Sequence, residues 1–318
     1  MATFRALTLG HEHMPMSTSL LRLPRIGRLA ASSLLLTIAP SLRAQNFDTV
    51  TVRATPVAGS VHMLQGVGGN IGLIVGNDAV FVVDDQFAPL TPKVLAAIKS
   101  ITPDPVKFVL NTHWHFDHTG GNENMGKAGA LIVAHENVRR RMSTGQLIAA
   151  LNRTEPASPH GALPVVTFTD TVTFHLNGDS IVVFHVAPAH TDGDAIVYFT
   201  KANVVHTGDV FVSSGFPFVD LSSGGSIDGV IRAAERIMMA TNAQTKIIPG
   251  HGPLADRARV KEYHDMLYAV RDRMRKEIAG RHTIEQVLAS KITAEYDAAW
   301  PANRERFLRI LYEELSRR

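Results

Sequence analysis

Short runs of β-branched and aromatic residues, separated by glycine-rich turns, follow one another from residue 50 onward. Runs of this length, bounded by turn residues, predict β-strands. Glycines between the first four runs, such as Gly76 before Asn77 and Asp78, predict hairpins. The predicted strands are 50–54, 61–64, 71–75, 79–83, 106–110, 130–133, 165–168, 172–176, 181–186, 195–199, 204–206 and 247–248.

A second pattern, with apolar residues three and four positions apart, predicts helices at 91–100, after Gly121, at 135–142 and at 227–240. Residues 143–164, rich in proline and glycine, are predicted to be a loop. Helix dominates from residue 254, where Thr283 and Gln286 have the spacing of a capping box. The apolar positions of these last helices are Tyr263, Met266, Leu267, Val270, Met274, Trp300, Phe307, Leu308, Leu311 and Tyr312.

Strands and helices that alternate in this way predict one α/β domain with strands inside and helices outside. We expect that domain to span residues 45–318, with 254–318 as a helical C-terminal extension. A chain of 318 residues with 45% hydrophobic and 19% charged residues has the composition of a globular protein.

The first residues have the pattern of a secretory signal peptide. Three arginines, Arg22, Arg25 and Arg28, precede an apolar run at 29–39, and the small residue Ala44 follows. The run is shorter than the roughly 20 residues of a membrane-spanning helix. We therefore expect residues 1–44 to be a signal peptide, cleaved near Ala44, and the mature protein to be periplasmic or secreted.

Removal of residues 1–44 changes the charge balance. The whole chain has 32 Lys and Arg and 29 Asp and Glu residues, and the first 44 residues hold five and one of them, which leaves 27 and 28. No basic stripe remains, so we expect neither a nucleic-acid partner nor a membrane partner after cleavage, but a small-molecule substrate. There is no cysteine, so any metal site must consist of histidine and carboxylate ligands.

Four potential metal ligands lie within six residues, directly after the predicted strand 106–110. They are His113, His115, Asp117 and His118, and Gly120 follows shortly after. Alternate residues of an extended segment can point the same way, while the next pair can turn toward a second site. Two metals about 3.5–4 Å apart can share one bridging oxygen.

This run resembles the His-x-His-x-Asp-His signature of the metallo-β-lactamase superfamily. The loops 188–194, 207–209 and 249–252 are similar to the superfamily loops that supply a third histidine, a bridging aspartate and a final histidine. The resemblance implies an αββα sandwich, and it implies that Asp84 supports the metal loop. One zinc ion would then be held by His113, His115 and His190, and a second by Asp117, His118 and His251, with Asp209 contacting both.

A site of this kind implies hydrolysis with two Zn²⁺ per chain. Zinc lowers the pKa of a bound water to near 7, so a bridging hydroxide can attack a carbonyl carbon. Asp117 and Asp209 are the candidate catalytic carboxylates, and Asp117 could steer a proton to the leaving group. Three nearby aromatic residues, Phe211, Phe216 and Phe218, could either wall the site or belong to the core.

The substrate class stays open, because a fold does not determine its substrate. An exported esterase, lactonase or amidase is the first hypothesis, and hydrolysis of β-lactam antibiotics is the alternative. A mononuclear iron dioxygenase acting on persulfides is a second alternative, and a non-catalytic binding module is a third. His115 argues against flavin-linked di-iron reductases of the superfamily, which have glutamate at that position.

Overall fold

Two large β-sheets packed face to face, with helices on both outer faces, form the core of the described part of the chain. A computed structural model describes residues 46–186 and 188–317, so the predicted signal peptide at 1–44 lies outside the described residues. Within the described part, no helix is both long and apolar enough to cross a membrane.

The strands are β1 (Arg53–Ala58), β2 (Val61–Gln65), β3 (Ile71–Ile74), β4 (Val80–Val83), β5 (Val106–Asn111), β6 (Leu131–His135), β7 (Gln146–Ile148), β8 (Arg153–Glu155), β9 (Val166–Phe168), β10 (Thr171–Leu176), β11 (Asp179–His185), β12 (Ala195–Phe199), β13 (Val204–His206), β14 (Lys246–Ile248) and β15 (Ala255–Asp256). The α-helices are α1 (Thr91–Lys99), α2 (Phe116–Thr119), α3 (Asn122–Lys127), α4 (Glu136–Met142), α5 (Ile227–Ala240), α6 (Arg257–Ala279), α7 (Ile284–Ala289) and α8 (Arg304–Ser316).

The first sheet has the strand order β1-β2-β3-β4-β5-β6-β9. Its first four strands are antiparallel hairpins, whereas β4, β5, β6 and β9 run parallel. The parallel strands are connected through α1, α3 and α4, as parallel pairing requires crossover segments.

The second sheet has the order β10-β11-β12-β13-β14-β15. Its strands are antiparallel except for β13 and β14, which α5 connects in parallel. Its inner face carries Ile181, Val183 and Val197, which pack against Phe81 and Leu110 of the first sheet. This buried apolar layer holds the two sheets together.

Helices cover the outer faces. Val94 and Ile98 of α1 pack on the first sheet, and α5, α6 and α8 form the largest apolar cluster beside the second. The predicted αββα sandwich with additional C-terminal helices is therefore confirmed. The capping box is also confirmed, because the Thr283 side chain accepts from the Gln286 backbone N–H and the Gln286 side chain accepts from the Thr283 N–H.

Three element predictions were wrong. Residues 143–164 are not a plain loop, because β7 and β8 pair there as a small antiparallel hairpin. The first strand begins at Arg53 rather than residue 50 and contains Pro56, which is tolerated because β1 is an edge strand with an irregular register there. The strand 246–248 is not the last, because Ala255 pairs with Ile247. The strands β7, β8 and β15 are too short to show a clear periodicity.

Candidate functional site: a cluster of five histidines and two aspartates

The site lies where the strands of both sheets end. Asn111 ends β5 and is followed by the histidine run, while Val83 ends β4 directly before Asp84. In the second sheet, the loops after β11, β13 and β14 carry His190, Asp209 and His251. Loops from both sheets thus converge, and the rigid strands position the side chains they carry.

All seven residues predicted as metal ligands come together. They form three overlapping groups of possible metal ligands, and within each group the ligand atoms lie within 4.8 Å of one another. The groups are His113 with His115 and His190; His113 with His118 and Asp209; and Asp117 with His118 and His251.

The first group consists of imidazoles alone. His190 Nε2 lies 2.8 Å from His115 Nδ1, and His113 Nε2 is buried without a hydrogen-bond partner among the described residues. Burial lowers the pKa of His113 well below its ordinary value, and His118 and His190 lower it further. Burial, together with His115, lowers the pKa of His190 to about 4. Neutral imidazole nitrogens that face each other are suited to a cation between them.

The third group, Asp117 with His118 and His251, combines imidazoles with a carboxylate. His251 Nε2 lies 3.3 Å from both His118 Nε2 and Asp117 Oδ2. Asp209 reaches both groups, because its Oδ1 lies 3.3 Å from His118 Nε2 and its Oδ2 lies 3.8 Å from His190 Nε2. Asp209 therefore lies beside ligand atoms of both groups.

Each ligand imidazole of the histidine run also has a partner on its far side. His118 Nδ1 donates to Asp84 Oδ2 at 2.7 Å, and His115 Nε2 donates to Asp220 Oδ2 at 3.1 Å. His113 Nδ1 donates to Thr112 Oγ1 at 3.0 Å. A bond on one ring nitrogen fixes the tautomer, so the other nitrogen presents its lone pair to the cluster.

Asp84 supports two ligands at once. Its carboxylate accepts from the Thr112 N–H at 2.7 Å and from Thr112 Oγ1 at 2.8 Å, in addition to His118. The residue is fully buried and has a φ of 63°, a conformation that is uncommon outside glycine. The supporting position predicted for Asp84 agrees with these contacts.

The sequence analysis did not identify two aspartates near the site, Asp220 and Asp85. Asp220 accepts from His115 and from the hydroxyls of Ser222 and Ser223. Burial raises the pKa of Asp220, but these hydrogen bonds outweigh burial and hold it below its ordinary value. Asp85 accepts from the Gly121 N–H at 2.9 Å, and burial raises its pKa well above the ordinary value. Only its position directly after Asp84 could have drawn attention to it.

Two glycines let the backbone approach the cluster. A Cβ on Gly250 would lie 2.0 Å from Asp209 Oδ1, and a Cβ on Gly69 would lie 2.2 Å from His118 Cε1. Both distances are far inside van der Waals contact, so any larger residue would displace a candidate ligand.

A cavity of about 210 Å³ opens onto the cluster. Asp117, Asp209 and His251 border it with 18%, 12% and 33% of their side chains exposed. Phe216 and Phe218 both line the cavity, so these two aromatic residues form part of the wall of the site. The remaining apolar lining residues include Phe116, Ile148, Leu151 and Val212.

Phe211, by contrast, lies in the core. It is fully buried, and its ring packs edge-on against Tyr263 with centroids 5.2 Å apart. Phe216 belongs to both environments, because it also stacks on Phe307 of α8.

A family model described as the metallo-beta-lactamase superfamily matches residues 64–251. The chain belongs to this superfamily. Membership, together with the three groups of possible ligands, indicates a metal-dependent hydrolase.

Three solved structures are similar to this chain in fold. A metallo-beta-lactamase from Pontibacter korlensis has a TM-score of 0.57 and 20% identity, covering 69% of this chain and 99% of its own. The DIM-1 metallo-beta-lactamase has a TM-score of 0.54 and 20% identity, with 69% and 98% covered. A double mutant of the sec-alkyl sulfatase PisA1 has a TM-score of 0.64 and 16% identity, with 83% and 50% covered.

Proposed function

We propose that the chain is an exported hydrolase that uses two zinc ions to cleave an ester, lactone or amide bond of a small molecule. The observation that carries the proposal is the overlap of the three ligand groups. His113 belongs to the first and second groups, and His118 belongs to the second and third. The first zinc would be held by His113, His115 and His190, and the second by Asp117, His118 and His251, with Asp209 contacting both.

The chemistry of the donors favours zinc. Imidazole nitrogen and carboxylate oxygen suit this ion, and three to four protein ligands per ion leave positions open for a reaction. The unpartnered Nε2 of buried His113 supports the proposal, because a buried polar atom without a partner is costly unless a ligand satisfies it. The backbone at Gly250 and Gly69 lies so close to Asp209 and His118 that a side chain at either glycine would take the place of these candidate ligands.

Bound zinc supplies an acidified water and a Lewis acid that polarises a substrate carbonyl. The protein contributes the arrangement, since Asp84, Thr112 and Asp220 hold the imidazoles with their lone pairs toward the cluster. Burial raises the pKa of Asp117, but His118 and His251 outweigh it and lower it to about 2. A carboxylate of this kind stays ionised at neutral pH, so we assign Asp117 to metal binding first and to proton transfer second.

The cavity supports a substrate with an apolar part, because aromatic and aliphatic side chains border it beside the ligands. Hydrolysis of a β-lactam is the alternative, since it uses the same attack on a carbonyl carbon. Oxidation of a persulfide by O₂ at a single iron ion is the second alternative, and the metal content separates it from hydrolysis.

We further propose that residues 1–44 direct export to the periplasm or beyond and that 45–318 is the mature single domain, with 254–318 as its extension. N-terminal sequencing of the protein recovered from the periplasmic fraction tests this proposal. A mature N-terminus near Gln45 supports it, whereas protein that keeps residues 1–44 in the cytoplasm contradicts it.

A hydrolysis panel tests the proposed reaction. Zinc-loaded mature protein is assayed with aryl esters, lactones, aryl amides and nitrocefin, and we expect cleavage of the ester or lactone. A double variant, His113→Ala with His115→Ala, should lose activity together with zinc. His175→Ala is the matched control, because His175 is exposed on β10 outside the cluster. Wild-type activity in the double variant would overturn the mechanism.

A further inference from the structure

Part of the cavity over the ligand cluster is lined by residues of the C-terminal segment. Ala302, Asn303 and Arg306 line the same cavity as Asp209 and His251. The helical extension therefore contributes directly to the site. Among the described residues that line this cavity, Arg306 is the one Lys or Arg.

Arg306 differs from the other arginines of α8 in its partners. Arg304 forms an ion pair with Asp297, and Arg309 forms one with Glu305. Arg306, within the described chain, has no carboxylate partner and only a weak contact from its Nη1 to Asn303 Oδ1 at 3.4 Å. Its guanidinium thus has most of its five N–H donors available to a ligand.

Asn303 is held in an unusual conformation beside it. Its φ is 66°, in the left-handed region, at the residue that precedes the first turn of α8. Its side-chain Oδ1 faces Arg306, and the Nδ2 amide has no partner in the part of the chain that the structure describes. Arg306 and Asn303 together therefore offer a guanidinium fork and an amide donor to this part of the cavity.

The segment that carries this pair is bonded to Gly215 and Phe216, which line the same cavity. Phe216 N donates to Ala302 O at 2.9 Å, and Gly215 forms a β-bridge with Ala302. The Phe216 and Phe307 rings stack with centroids 5.3 Å apart. These contacts hold Ala302 and the start of α8 against the cavity, so the fold sets the position of Arg306 relative to the ligand cluster.

We propose that Arg306 and Asn303 form a subsite for a carboxylate at the end of the substrate remote from the bond that is cleaved. This inference rests on the proposed hydrolysis and narrows its substrates to acyl compounds with an apolar middle and an anionic tail. Arginine suits this task because its planar fork binds a carboxylate through two parallel hydrogen bonds. The apolar middle would lie along Phe216, Phe218 and Leu151.

Matched esters test the subsite. We compare 4-nitrophenyl hydrogen adipate, pimelate and suberate with the neutral 4-nitrophenyl esters of the same chain lengths, because the tail carboxylate of a shorter chain would attack its own ester without the enzyme. For one chain length, wild-type protein should prefer the anionic ester in kcat/KM, mainly through a lower KM, because a remote contact stabilises substrate and transition state alike. In Arg306→Gln that preference should fall by about ten-fold, as expected for loss of a charge-assisted hydrogen bond.

Two further variants separate charge from folding. Arg306→Lys keeps the charge but loses the fork, so it should retain part of the preference. Arg309→Gln removes a paired, exposed arginine from the same helix outside the cavity and should keep the wild-type preference. A preference that is absent from wild type, or unchanged in Arg306→Gln, overturns the subsite.

Failure of the proposed hydrolysis is distinguishable from failure of the subsite. If zinc-loaded wild type cleaves none of these esters, ester hydrolysis is contradicted, and the same uncleaved esters then serve as ligands in equilibrium dialysis. Tighter binding of the anionic ester that disappears in Arg306→Gln supports the subsite on its own. Equal binding of both esters by wild type overturns it.

Discussion

Asp84 and His118 share a buried hydrogen bond of 2.7 Å, and the same carboxylate oxygen lies 2.8 Å from the hydroxyl of Thr112, which contacts His113. One side chain thus orients two candidate ligands that the proposal assigns to different zinc ions. Removal of the Asp84 carboxylate should therefore weaken metal binding at both proposed zinc sites.

Asp84→Asn should weaken metal binding by about 10- to 100-fold, the usual effect of removing a carboxylate behind a ligand histidine. Competition with a chromophoric chelator measures the affinities of both sites. Asp104→Asn, an exposed aspartate, is the control. Affinities unchanged from wild type would show that Asp84 does not orient the ligands.

Asp220→Asn should act more locally, because the Asp220 carboxylate hydrogen-bonds to His115 alone among the candidate ligands of the described chain, and its backbone N–H donates to the carbonyl oxygen of His190 in the same proposed zinc site. We expect the affinity at the His115 site to fall by about ten-fold or more, while the site of Asp117 and His251 keeps its affinity. Stepwise Co²⁺ titration, followed by absorption, resolves the two sites. An equal loss at both would contradict this separation.

Gly250→Ala should displace Asp209, because the added Cβ would lie 2.0 Å from its Oδ1. We expect a loss of about 1 to 3 kcal/mol in the free energy of unfolding, with reduced metal content. Gly145→Ala is the matched control, since its Cβ would meet nothing closer than 3.8 Å. Urea denaturation and metal analysis of both variants measure the difference, and a Gly250→Ala protein that matches the control would refute the packing argument.

The pH dependence of stability should differ between the metal-free and metal-loaded protein. Burial lowers the pKa of His251, but Asp209 and Asp117 outweigh burial and raise it from 6.5 to about 10 without metal. Its charged pairing therefore stabilises the metal-free fold fully below pH 6.5 and is lost as pH rises toward about 10. Metal binding instead requires the neutral imidazole, and raising the pH favours it.

The gap in melting temperature between loaded and metal-free protein should consequently widen from pH 6.5 to about 9. Thermal unfolding by circular dichroism, with and without chelator, measures this gap at each pH. A gap that stays constant or narrows would contradict the assignment of His251 as a ligand that must release a proton.

Local patterns predicted the strands and helices, and the strands with clear apolar runs, such as β12 and β13, have the predicted bounds. The histidine run is a dense cluster of ligand residues in the sequence itself. The αββα layers and the ligands of the loops 188–194, 207–209 and 249–252 were predicted from the resemblance to the superfamily. In contrast, the three-residue strands β7 and β8 are too short to show a period.

Residues that act through tertiary contact could not be predicted in this way. Asp220 lies 105 positions from His115, in a segment whose Ser222 and Ser223 suggest only a local turn. Arg306 lies on a helix whose apolar face was predicted from Phe307 and its neighbours. Its place in the cavity depends on the bridge between Gly215 and Ala302, which no local pattern indicates.

The central claim is that five imidazoles and two carboxylates hold two zinc ions that make the chain a hydrolase. Titration of metal-free mature protein with Zn²⁺ tests it most directly, with bound metal determined by mass spectrometry and ester hydrolysis measured in the same samples. We predict that binding saturates at two zinc ions per chain and that activity rises with occupancy. Protein that retains no divalent metal, or that binds a single iron and consumes oxygen instead, would contradict the account.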